Sequence, residues 1–271
     1  MSDQLLLTAR EVAASAAALI AERRAVGVSV AASKSSLTDV VTETDREAEA
    51  LIRGMLADAR PNDGFYGEES GAEEGSTGLT WVIDPIDGTV NFLYGIPHYA
   101  VSVAAVEGDP DPKSWRALAG CVLNVPTGEE WWATAGQGAF LDGERLEIAS
   151  YVDLDHALVA TGFAYTAEGR RTQGEIVAAL LPRVRDIRRM GTASLDLCGV
   201  AAGRLNAYFE RGLQPWDHAA AALIASEAGA TVRGWHGAAD ADLTLAAEPK
   251  LATELLDVLT ELDAGRGGRM V

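Results

Sequence analysis

The sequence predicts a mixed α and β fold, with a strand meander first and alternating strands and helices after it. Two observations carry this. Between Tyr99 and Ala135, three apolar runs are separated by polar turns, the pattern of an antiparallel meander. After Ala149–Asp153, short apolar runs alternate with longer helical patterns, as in βα units. The halves divide as residues 1–148 and 149–271.

The elements follow in order. Residues 3–25 are rich in Ala and Leu and read as one long helix, which Gly27 ends. Val40-Val41-Thr42 reads as a strand or turn entry. A second helical pattern runs from about Asp45 through Ala48, Leu51, Ile52, Met55 and Leu56, and Pro61-Asn62-Asp63-Gly64 breaks it. Phe65-Tyr66-Gly67 leads into Glu68-Glu69-Ser70, and the polar, Gly-rich run 71–78 reads as a loop. Leu79–Ile83 reads as a buried strand that stops at Asp84-Pro85, because proline has no N–H for a ladder. Gly88 to Phe92 can start a helix. Strands follow at 99–106, 117–124 and 130–135, with a Pro/Asp loop over 107–114. The second half reads as strand 157–162, helix 172–185, a strand near Ile187, helix 193–202, strand 205–209 and helix 217–228. Strands at Thr231-Val232 and 243–246, helix 248–262 and a loose tail, Gly265–Val271, complete it.

Composition narrows the function. Apolar residues make up 48% of the 271, enough for a sizeable core. The net charge of −18 repels nucleic-acid backbone and argues against that class of partner. It also repels anionic substrates, so a phosphate site needs its own local positive field. Only three lysines are present (Lys34, Lys113 and Lys250), and metal ions can fill that gap. Cys121 and Cys198 lie in apolar surroundings and read as buried thiols of a reducing compartment. The alanine-rich stretch Ala16–Ala21 follows no basic n-region and is closed by Glu22. The reading is no signal peptide, no membrane span and a cytoplasmic location.

The chemistry concentrates in Trp81-Val82-Ile83-Asp84-Pro85-Ile86-Asp87-Gly88-Thr89. Two carboxylates three residues apart follow a buried strand, at a sheet edge where sites are common. Mg²⁺ takes hard oxygen ligands, which Asp84 and Asp87 offer, and the Ile86 carbonyl is free to turn inward at the break. Gly88 and Thr89 then open a helix, and their free N–H groups suit a phosphate. The bland alternative is an Asp-Pro turn followed by an Asp cap.

This string resembles the signature of the inositol monophosphatase family, a branch of the lithium-sensitive, metal-dependent sugar phosphatases. Three more segments resemble family motifs, in the family's order: Lys34-Ser35-Ser36 with Val41-Thr42-Glu43-Thr44-Asp45, Gly67-Glu68-Glu69-Ser70, and Trp216-Asp217-His218-Ala219-Ala220-Ala221. The resemblance covers about residues 5–262. It implies a layered α-β-α-β-α sandwich of the inositol monophosphatase and fructose-1,6-bisphosphatase type, with an N-terminal α+β half and a C-terminal α/β half, commonly homodimeric.

The resemblance also implies roles. Glu68, Asp84 and the Ile86 carbonyl resemble ligands of one Mg²⁺; Asp84, Asp87 and Asp217 resemble those of a second; a third, weaker ion would lean on Glu68. Thr89, backed by Asp45, resembles the pair that orients the attacking water, with Glu68 as another candidate proton acceptor. Gly88 and Thr89 would hold the phosphate, Gly191-Thr192-Ala193 would touch the substrate ring, and Glu210 would accept hydrogen bonds from sugar hydroxyls. The implied reaction is hydrolysis of a small-molecule phosphate monoester, inositol-1-phosphate or a similar polyol phosphate. Histidinol phosphate, fructose-1,6-bisphosphate and 3′-phosphoadenosine 5′-phosphate are the alternatives within the superfamily. Some bacterial relatives bind the transcription machinery, which leaves a partner-binding role as an alternative of another class.

Several residues also have structural readings. Asp217, Asp45 and Thr192 each sit where a helix begins and can act as caps. Glu68 and Lys34 can be surface loop residues. His218 reads as helix surface and His98 takes no role. Arg185, Arg188 and Arg189 can lie near substrate or partner, or form a solvated basic face.

Overall fold

The computed structural model describes residues 2–27, 30–33 and 40–264. The expectations for Lys34-Ser35-Ser36 and for the tail from Gly265 lie outside these residues.

The N-terminal half begins with helix α1 (Ser2–Val26), strands β1 (Val30–Ser33) and β2 (Val40–Thr42), and helix α2 (Glu43–Ala59). Strands β3 (Gly64–Gly67), β4 (Gly71–Glu73) and β5 (Leu79–Asp87) lead into helix α3 (Thr89–Tyr94). Strands β6 (Ala100–Glu107), β7 (Arg116–Asn124), β8 (Glu130–Thr134), β9 (Gly138–Leu141) and β10 (Glu144–Arg145) follow. The second half contains β11 (Leu158–Thr161), α4 (Ala167–Leu180), β12 (Asp186–Arg188), α5 (Ala193–Ala201) and β13 (Ala207–Glu210). It ends with α6 (Pro215–Glu227), β14 (Thr231–Arg233), β15 (Thr244–Ala247) and α7 (Pro249–Ala264).

Two large sheets and a separate antiparallel β1–β2 pair organise these elements. Eight strands pair in the order β10-β9-β8-β7-β6-β5-β3-β4, antiparallel except for β3 against β5. Five pair as β12-β11-β13-β15-β14, with β11 parallel to both its neighbours. Alternation along the strands sends side chains into three apolar layers. Trp81 and Ile83 of β5, with Val101 and Val103 of β6, pack against Leu5, Ala9, Val12 and Ile20 of α1 and Ile52 of α2. Val82, Ala104 and Val122 on the other face pack with Leu197 of α5, Ile224 of α6, and Ala160 and Tyr208 of the five-stranded sheet. Val159, Phe209 and Leu245 close the outer layer with Ile176 of α4 and Leu255 of α7. The result is the expected layered α-β-α-β-α sandwich. Helix α1 is long and apolar enough to cross a membrane, but its apolar stripe is committed to this core.

The differences from expectation have local causes. Strand β5 does not stop at Pro85 but runs to Asp87, with a shift of register against β6 between Asp84 and Asp87. The bulge absorbs the missing proline N–H. Residues 71–73 are not loop but a short edge strand on β3. Helix α4 starts five residues earlier than expected, because Thr166 caps it by accepting from Gly169 N (3.2 Å) and its first turn is polar; its end is set before Pro182. The β9–β10 hairpin carried a signal in Asp142-Gly143, whose positive φ values (50° and 89°) make the tight turn.

Candidate active site

The bulge in β5 creates the site. In a regular strand, residues three apart point to opposite faces. The irregularity around Pro85 and Ile86 resets the alternation, so Ile83 and Ile86 both join the core under α1 and α2, and Asp84 and Asp87 both line a cavity on the other side. Asp84 folds back to accept a hydrogen bond from Ile86 N (3.0 Å). Gly88 follows in the left-handed region (φ 96°), as cap of α3. A Cβ there would meet the Thr192 hydroxyl at 2.5 Å and the His98 carbonyl at 3.2 Å, so only glycine fits.

The cavity encloses about 450 Å³. Glu68, Asp84, Ile86, Asp87, Gly88, Thr89, Gly191, Thr192, Ala193, Glu210 and Asp217 all line it. Asp45 does not line it but stands buried behind Thr89. The Thr89 hydroxyl lies 3.1 Å from Asp45 Oδ1 and 3.0 Å from the Ile86 carbonyl oxygen, and shares its proton between them. Asp45 is the third residue of α2 and completes a capping box with Thr42: its Oδ2 accepts from Thr42 N (2.9 Å) and from the Thr42 hydroxyl. One oxygen thus serves the cap and the other meets the Thr89 hydroxyl.

Asp217 is not the cap of α6. Gln214 is, and Asp217, at the third helical position, accepts from Gln214 N (2.6 Å). The helix start is held by an edge-to-face contact of Trp216 on Tyr66 (5.2 Å between centroids). Thr192 occupies the cap position of α5, yet its hydroxyl donates to the His98 carbonyl (2.9 Å) and caps nothing. The cap comes from Asp87, whose Oδ2 accepts from Ser194 N (2.7 Å). One side chain of the large sheet thus pins the helix between the sheets.

Electrostatics follow from crowding. Burial, then the charges of Glu68, Asp87 and Asp217, push the Asp84 carboxyl well above its usual range. Burial and the charges of Asp87 and Glu68 do the same to Asp217. Asp87 rises only to about 6, because the Ser194 and Ala193 N–H groups oppose its burial. Burial raises Glu210 to about 7 against a hydrogen bond from Tyr208 and the charge of Arg189. Such a set fits divalent cations: oxygen donors converge, and their repulsion is relieved only by positive charge or protons. A separate trio, Asp153, Asp155 and His156, brings one ligand atom each within 4.8 Å, but all three are exposed surface groups.

Three arginines expected as one cluster separate here. Arg189 lines the cavity, with its guanidinium over the Phe163 ring (5.8 Å). Arg185 binds the His156 carbonyl and Arg188 pairs with Asp186. His218 is not on the helix surface but buried, packed near Trp115, and its pKa falls to about 4 through burial. Sequence reasoning missed the wall made by Phe163–Thr166 and Arg211–Gln214. Its only signal was position, just after the ends of β11 and β13. It also missed Asp196, a buried acid on α5 raised by burial and by Glu210; the signal was one carboxylate in the apolar run Leu195–Val200.

Known proteins share this architecture. The profile of the inositol monophosphatase family matches residues 1–263. An inositol-1-monophosphatase named SuhB from Mycobacterium tuberculosis is 46% identical, over 94% of this chain and 93% of its own. The Nus factor SuhB of Escherichia coli is 39% identical, over 88% of this chain and 89% of its own. The solved structure of Mycobacterium tuberculosis SuhB superposes with a TM-score of 0.81 at 43% identity, over 97% of this chain and 98% of that one. The chain belongs to the inositol monophosphatase family, a family of phosphoric monoester hydrolases.

Proposed function

We propose that the chain hydrolyses inositol-1-phosphate or a related polyol monophosphate, with magnesium, by in-line attack of water on phosphorus. The observation that supports this most is the convergence of Glu68, Asp84, Asp87 and Asp217 with the Gly88–Thr89 turn on one cavity. Glu68, Asp84 and the Ile86 carbonyl would hold one ion, Asp84, Asp87 and Asp217 a second, and Glu68 would help with a third. When bound, magnesium supplies positive charge to the phosphoryl oxygens, acidifies water and stabilises the leaving oxygen.

The remaining work falls to the chain itself. The Gly88 and Thr89 N–H groups point a positive edge at phosphate oxygens. The Thr89 hydroxyl, its proton engaged by Asp45 and the Ile86 carbonyl, keeps lone pairs to accept a hydrogen bond from water and so fix its direction of approach. The pair, or Glu68, takes the water's proton. Gly191-Thr192-Ala193 would border the substrate ring, and Glu210, an acceptor, would meet its hydroxyls.

The test is phosphate release from a panel (inositol-1-phosphate, histidinol phosphate, fructose-1,6-bisphosphate and 3′-phosphoadenosine 5′-phosphate), with and without Mg²⁺, for wild type and Asp87→Asn. Magnesium-dependent release that the substitution abolishes is expected, with inositol-1-phosphate first in rank. No release from any ester by folded protein sinks the proposal.

The family relationship further supports lithium inhibition and a cytoplasmic homodimer. Exposed Tyr94, Ile96 and Met190 gather beside Asn91, whose side chain binds the Met190 and His98 carbonyls (2.9 and 2.8 Å), and offer apolar surface for a second copy. A second reading, favoured by the Escherichia coli relative named a Nus factor, is binding to a protein of the transcription machinery. A pull-down that survives Asp87→Asn supports it; loss of capture together with activity argues against it.

A further inference from the structure

Glu210 is held in a way that its own position in the sequence does not explain. It ends β13 and lines the cavity, yet it is mostly buried. Two residues before it on the same strand, Tyr208 is fully buried, and its phenol donates to Glu210 Oε2 (2.7 Å). Among the described residues no hydrogen bond reaches Oε1. On the other side lies Gly162, just past the end of β11. A Cβ on Gly162 would overlap Cδ, Oε1 and Oε2 of Glu210 alike. Gly162 does not have a positive φ, so its missing side chain serves space and not backbone freedom. The carboxylate therefore lies flat on the Gly162 backbone, with one oxygen tied and one open to accept a hydroxyl hydrogen.

We infer that Tyr208 and Gly162 are positioning residues that give the site its selectivity for polyhydroxy substrates, by holding the Glu210 carboxylate in one place with Oε1 free. The inference rests on the phosphatase reading above and deepens it. Tyr208 touches no substrate; it acts through Glu210. Its phenol fixes the carboxylate's orientation and opposes the burial that drives Glu210 toward its neutral form. A neutral carboxyl is a weaker acceptor of sugar hydroxyls than a carboxylate. The groups that face Glu210 are Tyr208, Asp196, Arg189, Asp87 and Asp217.

The two contacts can be broken separately. Tyr208→Phe removes the phenol oxygen and keeps the ring. Gly162→Ala leaves a methyl where the carboxylate lies, and because that carboxylate is the end of a flexible side chain, it swings away without unfolding the strand. The measurement is the ratio of kcat/KM for inositol-1-phosphate to kcat/KM for phenyl phosphate, whose leaving group carries no hydroxyl. The ratio is expected to fall about tenfold in each variant, mainly through KM for the inositol ester, because a hydrogen bond to a charged group is lost. Glu210→Gln should lower the same ratio, and adding Tyr208→Phe to it should have no further effect. The inference is overturned if either single variant leaves the ratio unchanged or slows both esters equally, the mark of a merely structural role. If wild type cleaves phenyl phosphate but not inositol-1-phosphate, this inference fails and the phosphatase reading stands. If it cleaves neither, the phosphatase reading itself fails.

Discussion

The two walls of the cavity are built differently. One wall, Asp84 to Thr89, is a single run of chain bent by a bulge, joined by Glu68 and Asp217. Its carboxylates are buried against each other's charge, and Asp84 is only 2% exposed. The other wall gathers Phe163, Arg189 and Glu210 from the ends of three strands of the five-stranded sheet or the residues just after them. There the acid is moderated by Tyr208 and Arg189. The first wall carries unbalanced charge and the second carries balanced contacts. On the proposed mechanism, the first performs chemistry common to all phosphate esters and the second chooses among them.

The sharpest way to break this comparison is Asp84→Asn. Outer contacts of a metal ligand cost about 10- to 100-fold when lost, so losing the ligand itself should cost more, about a thousandfold in magnesium-dependent kcat/KM for every ester tested. The same substitution should raise the melting temperature in magnesium-free buffer by about 3 °C, equivalent to about 1 kcal/mol, because it removes one of four repelling groups. A melting temperature that falls would mean the carboxylates are not in conflict. Thr89→Ala should slow turnover about a hundredfold with little change in KM, and Thr89→Ser should recover most of it. Equal loss in both variants would remove the hydroxyl from the mechanism.

On the other wall, Glu210→Gln should raise KM for inositol-1-phosphate about tenfold and affect phenyl phosphate far less. An equal effect on both esters would erase the distinction between the walls.

A control lies outside both. Asp63 accepts from Arg60 Nε (2.7 Å), Thr77 Oγ1 (2.7 Å) and Trp81 Nε1 (3.1 Å). Burial raises its carboxyl, but these bonds outweigh burial and hold it below its usual value. A depressed carboxyl stabilises the fold above the unfolded pKa of about 3.9, and that contribution is lost as pH falls through the folded value. Asp63→Asn should therefore cost about 2 kcal/mol at pH 7, less below about pH 4, with selectivity between esters unchanged. Urea unfolding at the two pH values checks the sign.

Legibility in the sequence divided along the same line as the walls. Asp84, Asp87, Gly88 and Thr89 could be read because a bulged strand end and the turn after it keep the acting groups adjacent in the chain. Glu210 and Gly191-Thr192-Ala193 came only through family resemblance, and Phe163–Thr166 did not come at all, since a loop after a parallel strand has no side-chain pattern of its own. Three faces were also misread. His218 sits in an alanine-rich helix that looks amphipathic from neither side, because α6 is covered by both sheets. Pro85 looked like a strand end, because a bulge is a property of two strands and only one was in view. Thr192 looked like a cap by its side chain, because the carboxylate that caps α5, Asp87, lies 107 positions from the Ser194 N–H it accepts.

By itself, the sequence determined most of the helices and strands, whose apolar periods are local, and singled out the nine-residue segment to which the proposed phosphate chemistry is assigned. Only the tertiary structure decided that Asp87 caps α5, that Asp217 approaches Asp84, and that Gly162 makes room for Glu210. Those contacts join residues brought together by burying three apolar layers at once, and no local pattern encodes which distant pair will meet when the layers close.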